Sequence, residues 1–162
     1  MTRKKLVNIG INSSAKIYTL LEGLLPVTLA GKLSSGDSWQ AEVFLPHPYT
    51  YSMMKLFAFR DRLNDTNKEF GRYHALDIYT ILATTTENEW KHALQLSSRY
   101  KGLPHVVEAG RLVLEYFSTL NSLGMIRLRE SPYYQPDMQI DDFMLALQEL
   151  FPSGKWGKWG QI

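Results

Sequence analysis

The sequence predicts an α+β fold, a short β-hairpin packed on a predominantly helical bundle. Three observations carry that expectation. Residues 27–45 alternate apolar and polar side chains on either side of the turn sequence Ser34-Ser35-Gly36-Asp37-Ser38. From Tyr49 onward the apolar spacing changes from a period of two to the helical period of about 3.6. Cap and turn residues then punctuate the helical part, with no internal repeat that would build a solenoid.

The elements follow in order. Ser13 and Ser14 can cap a helix over 13–25, in which Ile17, Leu20, Leu21, Leu24 and Leu25 keep helical spacing until Pro26. Strands are expected near 27–33 and 39–45, the second ended by Pro46 and Pro48, each of which removes a ladder donor. A helix from Tyr49 to about Leu63 places Met53, Leu56, Phe59 and Leu63 on one side. Asn64-Asp65-Thr66-Asn67 interrupts it, and a second helix is expected from about Lys68 to Ala83.

Thr86-Glu87-Asn88-Glu89 is a capping box, because the Thr hydroxyl and the Glu carboxylate satisfy each other's free amides. It opens a helix to about Tyr100, with Gly102 suited to the left-handed position beyond the end. Pro104 starts a helix that the pattern extends to Leu120. Residues 123–130 fit either a helix or a strand, and a last helix is expected over 141–151. We read residues 1–152 as one domain and 153–162, with Trp156 and Trp159 each between Lys and Gly, as a mobile tail.

Composition excludes several classes. Hydrophobic residues at 44% and charged residues at 21% belong to a globular chain rather than a disordered one. The absence of cysteine rules out disulfides and thiolate metal sites. A net charge of +2 selects no partner. No run approaches the ~18 apolar residues of a membrane span, and the basic N-terminus turns polar at Asn12-Ser13-Ser14. The expectation is a cytoplasmic protein without a membrane segment.

The chemistry-bearing stretch is residues 53–82, where Lys55, Arg60, Asp61, Arg62, Lys68, Arg72, His74 and Asp77 sit on an apolar helical frame. An unpaired buried charge is costly, so these groups must face water, pair with one another, or form a site. Lys55 and Asp77 lie similar distances back from the connecting loop, so two helices packed side by side bring them level. That meeting reads either as a structural ion pair or as a phosphate-contacting lysine with its aspartate. Arg60, Arg62, Lys68 and Arg72 form either a phosphate patch, for which the guanidinium fork is suited, or a solvated helix end paired with Asp61, Asp65 and Glu69.

His74 reads as a satisfied interior group or as an acid–base group beside Asp77. His47, His92 and His105 have no ligand spacing, so no histidine metal site is expected. Arg127 and Arg129 read as one face of a structural element or as a nucleic-acid contact, and Tyr133 and Tyr134 as plugs of the core or as rings that stack on a ligand.

Residues 26–83 resemble the second half of the nucleotidyltransferase-like proteins related to the AbiEii abortive-infection toxins and their MenT-type relatives. The likeness lies in a hairpin, the run Pro46-His47-Pro48-Tyr49, a helix with Lys55 ahead of Arg60 and Arg62, and Asp77 within His74-Ala75-Leu76-Asp77-Ile78-Tyr79. It implies the C-terminal part or a remnant of that fold. It also implies catalytic roles for Lys55 and Asp77, phosphate binding by Arg60, Arg62 and Arg72, and Mg²⁺ and a nucleoside triphosphate as cofactors. RNA or an antitoxin protein would be the partner, and a homo-oligomer is left open.

One part of the family pattern is missing. Its metal-binding carboxylates come from a Gly-Ser motif followed by an Asp-x-Asp pair, and this sequence has none. Glu22, Asp37 and Glu42 are the acids before Lys55, and none stands two residues from another. Two-metal phosphoryl transfer needs such a pair. The expectation is therefore either the C-terminal portion of a larger gene product or a degenerate member, inactive alone. The alternative is a non-catalytic helical module that binds protein or nucleic acid and uses Lys55–Asp77 as a structural pair.

Overall fold

A computed structural model of the chain describes residues 22–153, the side chain of Lys68 apart. The expected helix at 13–21 and the tail with Trp156 and Trp159 lie outside the described residues. Contacts divide the chain after Pro46 into two compact units. The class is α+β, as the change of period predicts, with one two-stranded sheet and six α-helices among the described residues.

In the first unit, β1 (Leu25–Lys32) and β2 (Ser38–Leu45) pair antiparallel from Leu25↔Leu45 to Lys32↔Ser38. The turn closes with the Leu33 amide donating to the Asp37 carbonyl at 2.9 Å, and Gly36 supplies the left-handed φ of 90°. This register puts Leu25, Val27, Leu29, Trp39, Ala41, Val43 and Leu45 on one face and mostly polar residues on the other. The first strand begins two residues earlier than the pattern suggests. Pro26 is tolerated because a two-stranded sheet consists of edges only. The end of the expected first helix is corrected too: Glu22 and Gly23 form a turn and Leu25 is already strand. Gly23 is left-handed at φ 72°, and a residue before proline is pushed toward extended backbone.

The second unit is helical. α1 (Pro48–Arg62) carries proline in its first turn, where no donor is missed, and His47 caps it, its Nδ1 accepting from the Tyr49 amide at 3.2 Å. α1 buries Met53, Leu56 and Phe59 as the spacing predicts. Beyond it, Asp65 caps a 3₁₀ segment, Thr66–Gly71, by accepting from the Asn67 amide.

The second long helix, α2 (Arg72–Ala83), starts at Arg72 and not at Lys68. Glu69, Phe70 and Gly71 take φ values of 52°, 54° and 80°, and an α-helix does not continue through three residues of positive φ. Gly71 also lies so close to α1 that a Cβ there would sit 3.1 Å from the Phe59 carbonyl oxygen.

α3 (Glu87–Tyr100) opens on the predicted capping box. The Thr86 amide donates to Glu89 at 2.8 Å, and the Glu89 amide donates to the Thr86 hydroxyl at 3.4 Å. Its end differs from expectation, since Gly102 is not left-handed. The Leu103 amide instead closes a tight turn onto the Tyr100 carbonyl, and Leu103 is extended ahead of Pro104. α4 (Pro104–Tyr116) stops short of Leu120. Phe117 leaves the helix at φ −134°, and its ring enters the core between Phe59 at 5.1 Å and Phe143 at 6.2 Å. Residues 123–130 resolve as helix α5 (Leu123–Arg129), and the last helix is α6 (Ile140–Leu150).

α1 packs on α2, α3 and α4, while α2 also meets α5 and α6. Their shared core includes Leu56, Phe59, Ile78, Leu112, Phe117 and Leu147, all fully buried. Each such side chain contributes roughly 1.5–3 kcal/mol by leaving water. The α1–α2 pair that carries Lys55 and Asp77 is thereby clamped from several sides. No helix among the described residues is long and apolar enough to cross a membrane.

Candidate functional site

Lys55 lies in the second turn of α1 and Asp77 in the second turn of α2. Their side chains meet, Lys55 Nζ donating to Asp77 Oδ2 at 2.7 Å. The contact sits at the mouth of the helix interface, with the lysine side chain 20% exposed and the aspartate 42% exposed. Two further groups join them. Tyr51, one turn earlier on α1, presents its ring to the ammonium at 5.2 Å, a cation–π distance. His74, one turn before Asp77, holds Nδ1 3.6 Å from the same Oδ2. That distance is too long for a hydrogen bond, and Nδ1 is buried with no hydrogen-bond partner among the described residues.

The electrostatics follow from this placement. Burial opposes the charge on Lys55, but the hydrogen bond and charge of Asp77, helped by Tyr51, outweigh it and raise the lysine pKa. Burial lowers the His74 pKa, and the positive charges of Lys55 and Arg62 lower it further against the pull of Asp77. At neutral pH the cleft therefore holds a charged lysine, its aspartate and a neutral imidazole.

The three candidate phosphate-binding arginines are each paired with an acid. Arg60 turns to Asp61 at 2.8 Å and to Glu108 of α4 at 3.2 Å. Arg62 stands 3.6 Å from Asp65, and its charge reaches His74. Arg72 pairs with Glu69 and lies over the Tyr73 ring. Each guanidinium is thus matched by an acid in a surface pair of small energetic weight.

The other singled-out residues have structural partners. Arg127 covers the Phe70 ring at 4.9 Å and bonds Glu130, while Arg129 donates to the Leu120 carbonyl. Tyr134 packs against the core, whereas Tyr133 is exposed and plugs nothing. His47 and His92 form an edge-on ring pair at 4.7 Å that no spacing in the sequence announces. Tyr51 escaped the sequence reading although its position one helical turn before Lys55 was the available signal. A shallow groove of about 380 Å³ between α2 and α6, lined by Tyr79, Leu82, Phe143 and Ala146, includes neither Lys55 nor Asp77.

Among the described residues, no group of three His, Asp or Glu side chains is placed to hold a metal ion. Asp77 is the acid in the cleft, and its Oδ2 is engaged by Lys55. This donor set does not fit a two-metal phosphoryl-transfer centre. The chain matches no protein-family model, no curated protein and no solved structure.

Proposed function

We propose that this chain is a nucleotidyltransferase-like module of the toxin–antitoxin and abortive-infection type, with Lys55–Asp77 as the phosphate-contacting half of a nucleotide site. It transfers no nucleotide by itself. The observation that carries the reading is the 2.7 Å contact between two residues on different helices, both of them partly exposed to water. These are the two positions to which the family resemblance gives catalytic roles. A lysine held charged at a cleft mouth is suited to a phosphate oxygen. The missing carboxylates argue for silence alone, because Mg²⁺ would have to be held by acids other than these. RNA is the acceptor this reading implies, an antitoxin protein its regulator, and the cytoplasm its place of action.

The test is twofold. The 162-residue chain, incubated with Mg²⁺, labelled nucleoside triphosphates and RNA, should incorporate no label. Calorimetry with a nucleoside triphosphate should give measurable binding that Lys55→Met abolishes. Incorporation that disappears in Lys55→Ala would overturn the silence. Absence of triphosphate binding would overturn the nucleotide site.

A second reading has its own support: Lys55 is already paired, and Arg60, Arg62 and Arg72 each sit on an acid. On that view the chain is a non-catalytic helical module that binds protein or nucleic acid, and the pair is structural. The same calorimetry separates the two.

A further inference from the structure

Asp77 Oδ2 has two suitors and serves one. Lys55 takes it at 2.7 Å, while His74 Nδ1 waits at 3.6 Å, buried and without a hydrogen-bond partner among the described residues. His74 and Asp77 are three residues apart on one helix, so side-chain rotation alone brings the imidazole into reach. The geometry points to His74 as a positioning residue: when a phosphate oxygen draws the Lys55 ammonium away, the imidazole replaces it on Asp77 and takes a proton from solvent.

This role rests on the phosphate-binding reading of the cleft. Its physical basis is charge compensation. A part-buried carboxylate that loses its lysine is left unpaired, and an imidazolium one turn away restores the pair without moving the backbone. The charged groups facing His74 are Lys55 and Arg62 from α1 and Asp77 from its own helix. Withdrawal of the Lys55 ammonium removes one repulsion, and an arriving phosphate adds an attraction. Arg62 stands 3.6 Å from Asp65, which offsets part of its charge. Phosphate binding and protonation of His74 therefore help each other, and by linkage each strengthens the other equally. Affinity for a phosphate chain should rise as pH falls through the histidine range.

The experiment follows the His74 imidazole by NMR in the full chain, whose nitrogen shifts report which ring atom carries a proton. Lys55→Met should move the His74 midpoint upward by on the order of one pH unit and place a proton on Nδ1. Adding Asp77→Asn to it should cancel that rise. If Lys55→Met disturbs packing, Lys55→Gln makes the same comparison with a polar head group. Inorganic triphosphate added to the unaltered chain should give the same upward shift. Calorimetry in buffers of different ionisation enthalpy should show proton uptake, lost in His74→Asn while weaker binding persists.

A His74 midpoint that stays put in both lysine variants, or that rises equally without Asp77, overturns the exchange. Binding of triphosphate with no shift at His74 also overturns it and leaves the phosphate site standing. No binding of triphosphate overturns the phosphate site, and the exchange with it.

Discussion

Lys55 Nζ and Asp77 Oδ2 stand 2.7 Å apart across the α1–α2 interface, the ammonium more deeply set than the carboxylate. The pair is neither sealed nor free. Exposed pairs contribute ~0–1 kcal/mol and removal of one partner from a sealed pair costs ~3–5 kcal/mol. A coupling of about 1–2 kcal/mol is expected here, between those limits. Asp77→Asn should cost more than Lys55→Met, since it strands the deeper charge. Urea melts of both single variants and the double variant give the coupling. Negligible, additive effects would show that the two side chains do not interact in solution, and the family roles assigned to them would go.

That meeting was legible in the sequence because two readable helices flank one loop and carry both residues back from it, although the later start of α2 leaves Asp77 closer to its helix end than the expected Lys68 start implies. The hairpin and the capping box were legible because each is decided within a few residues by local chemistry. What escaped was decided by tertiary packing. The start of α2 depends on Gly71 lying against Phe59, which forces the left-handed run before it. The end of α4 depends on Phe117, which fits the helical pattern but is claimed by Phe59 and Phe143 in the core. The acids interleaved with the arginines, Asp61, Asp65 and Glu69, were legible as their partners, but sequence cannot reveal that Glu108, on a later helix, also pairs with Arg60.

The capping box of α3 should be worth a measurable share of stability. Thr86 and Glu89 exchange hydrogen bonds through both backbone amides, and the Glu89 pKa is lowered chiefly by the Thr86 hydroxyl and amide. Thr86→Ala should cost about 1 kcal/mol. Glu89→Ala should cost about as much, and the double variant less than the sum, since either change breaks the reciprocal pair. Thermal melts at pH 7 are the measurement. An unchanged melting temperature in Thr86→Ala would show that the cap is not formed.

Two glycines in the helical unit should respond differently to alanine. At Gly124, in α5, a Cβ would lie 2.5 Å from the Phe117 ring and 2.6 Å from the Tyr116 carbonyl oxygen. A backbone oxygen cannot rotate aside, so α5 must lift from the end of α4. Gly124→Ala should destabilise by ~2 kcal/mol, after a helix-propensity gain of ~1 kcal/mol. Gly102 has nothing within 4 Å of its Cβ position and no left-handed φ, so Gly102→Ala should be near neutral. Equal denaturation midpoints for the two variants would contradict this packing of α5.

Acid should unfold the helical unit partly through His47. The residue is 1% exposed, and its Nδ1 accepts from the Tyr49 amide, which requires that nitrogen to be unprotonated. Burial lowers its pKa below the usual 6.5, and the nearby His92 lowers it further against the pull of Glu89. The unfolded chain therefore binds a proton at a pH where the folded chain refuses it. The contribution of His47 is complete above pH 6.5 and is lost as pH falls below it, until the folded pKa is reached. The slope cannot exceed about 1.4 kcal/mol per pH unit for one group. His74, also lowered by burial, adds in the same direction. His47→Asn keeps a side-chain acceptor for the Tyr49 amide while removing the titration, so its urea midpoint should vary less between pH 7 and pH 5 than that of the unaltered chain. His92→Gln removes the neighbouring ring and its charge but leaves His47 buried, and should flatten the profile less. A midpoint that rises on acidification, or a His47→Asn profile as steep as the original, would show that a buried neutral His47 is not the source of the acid sensitivity.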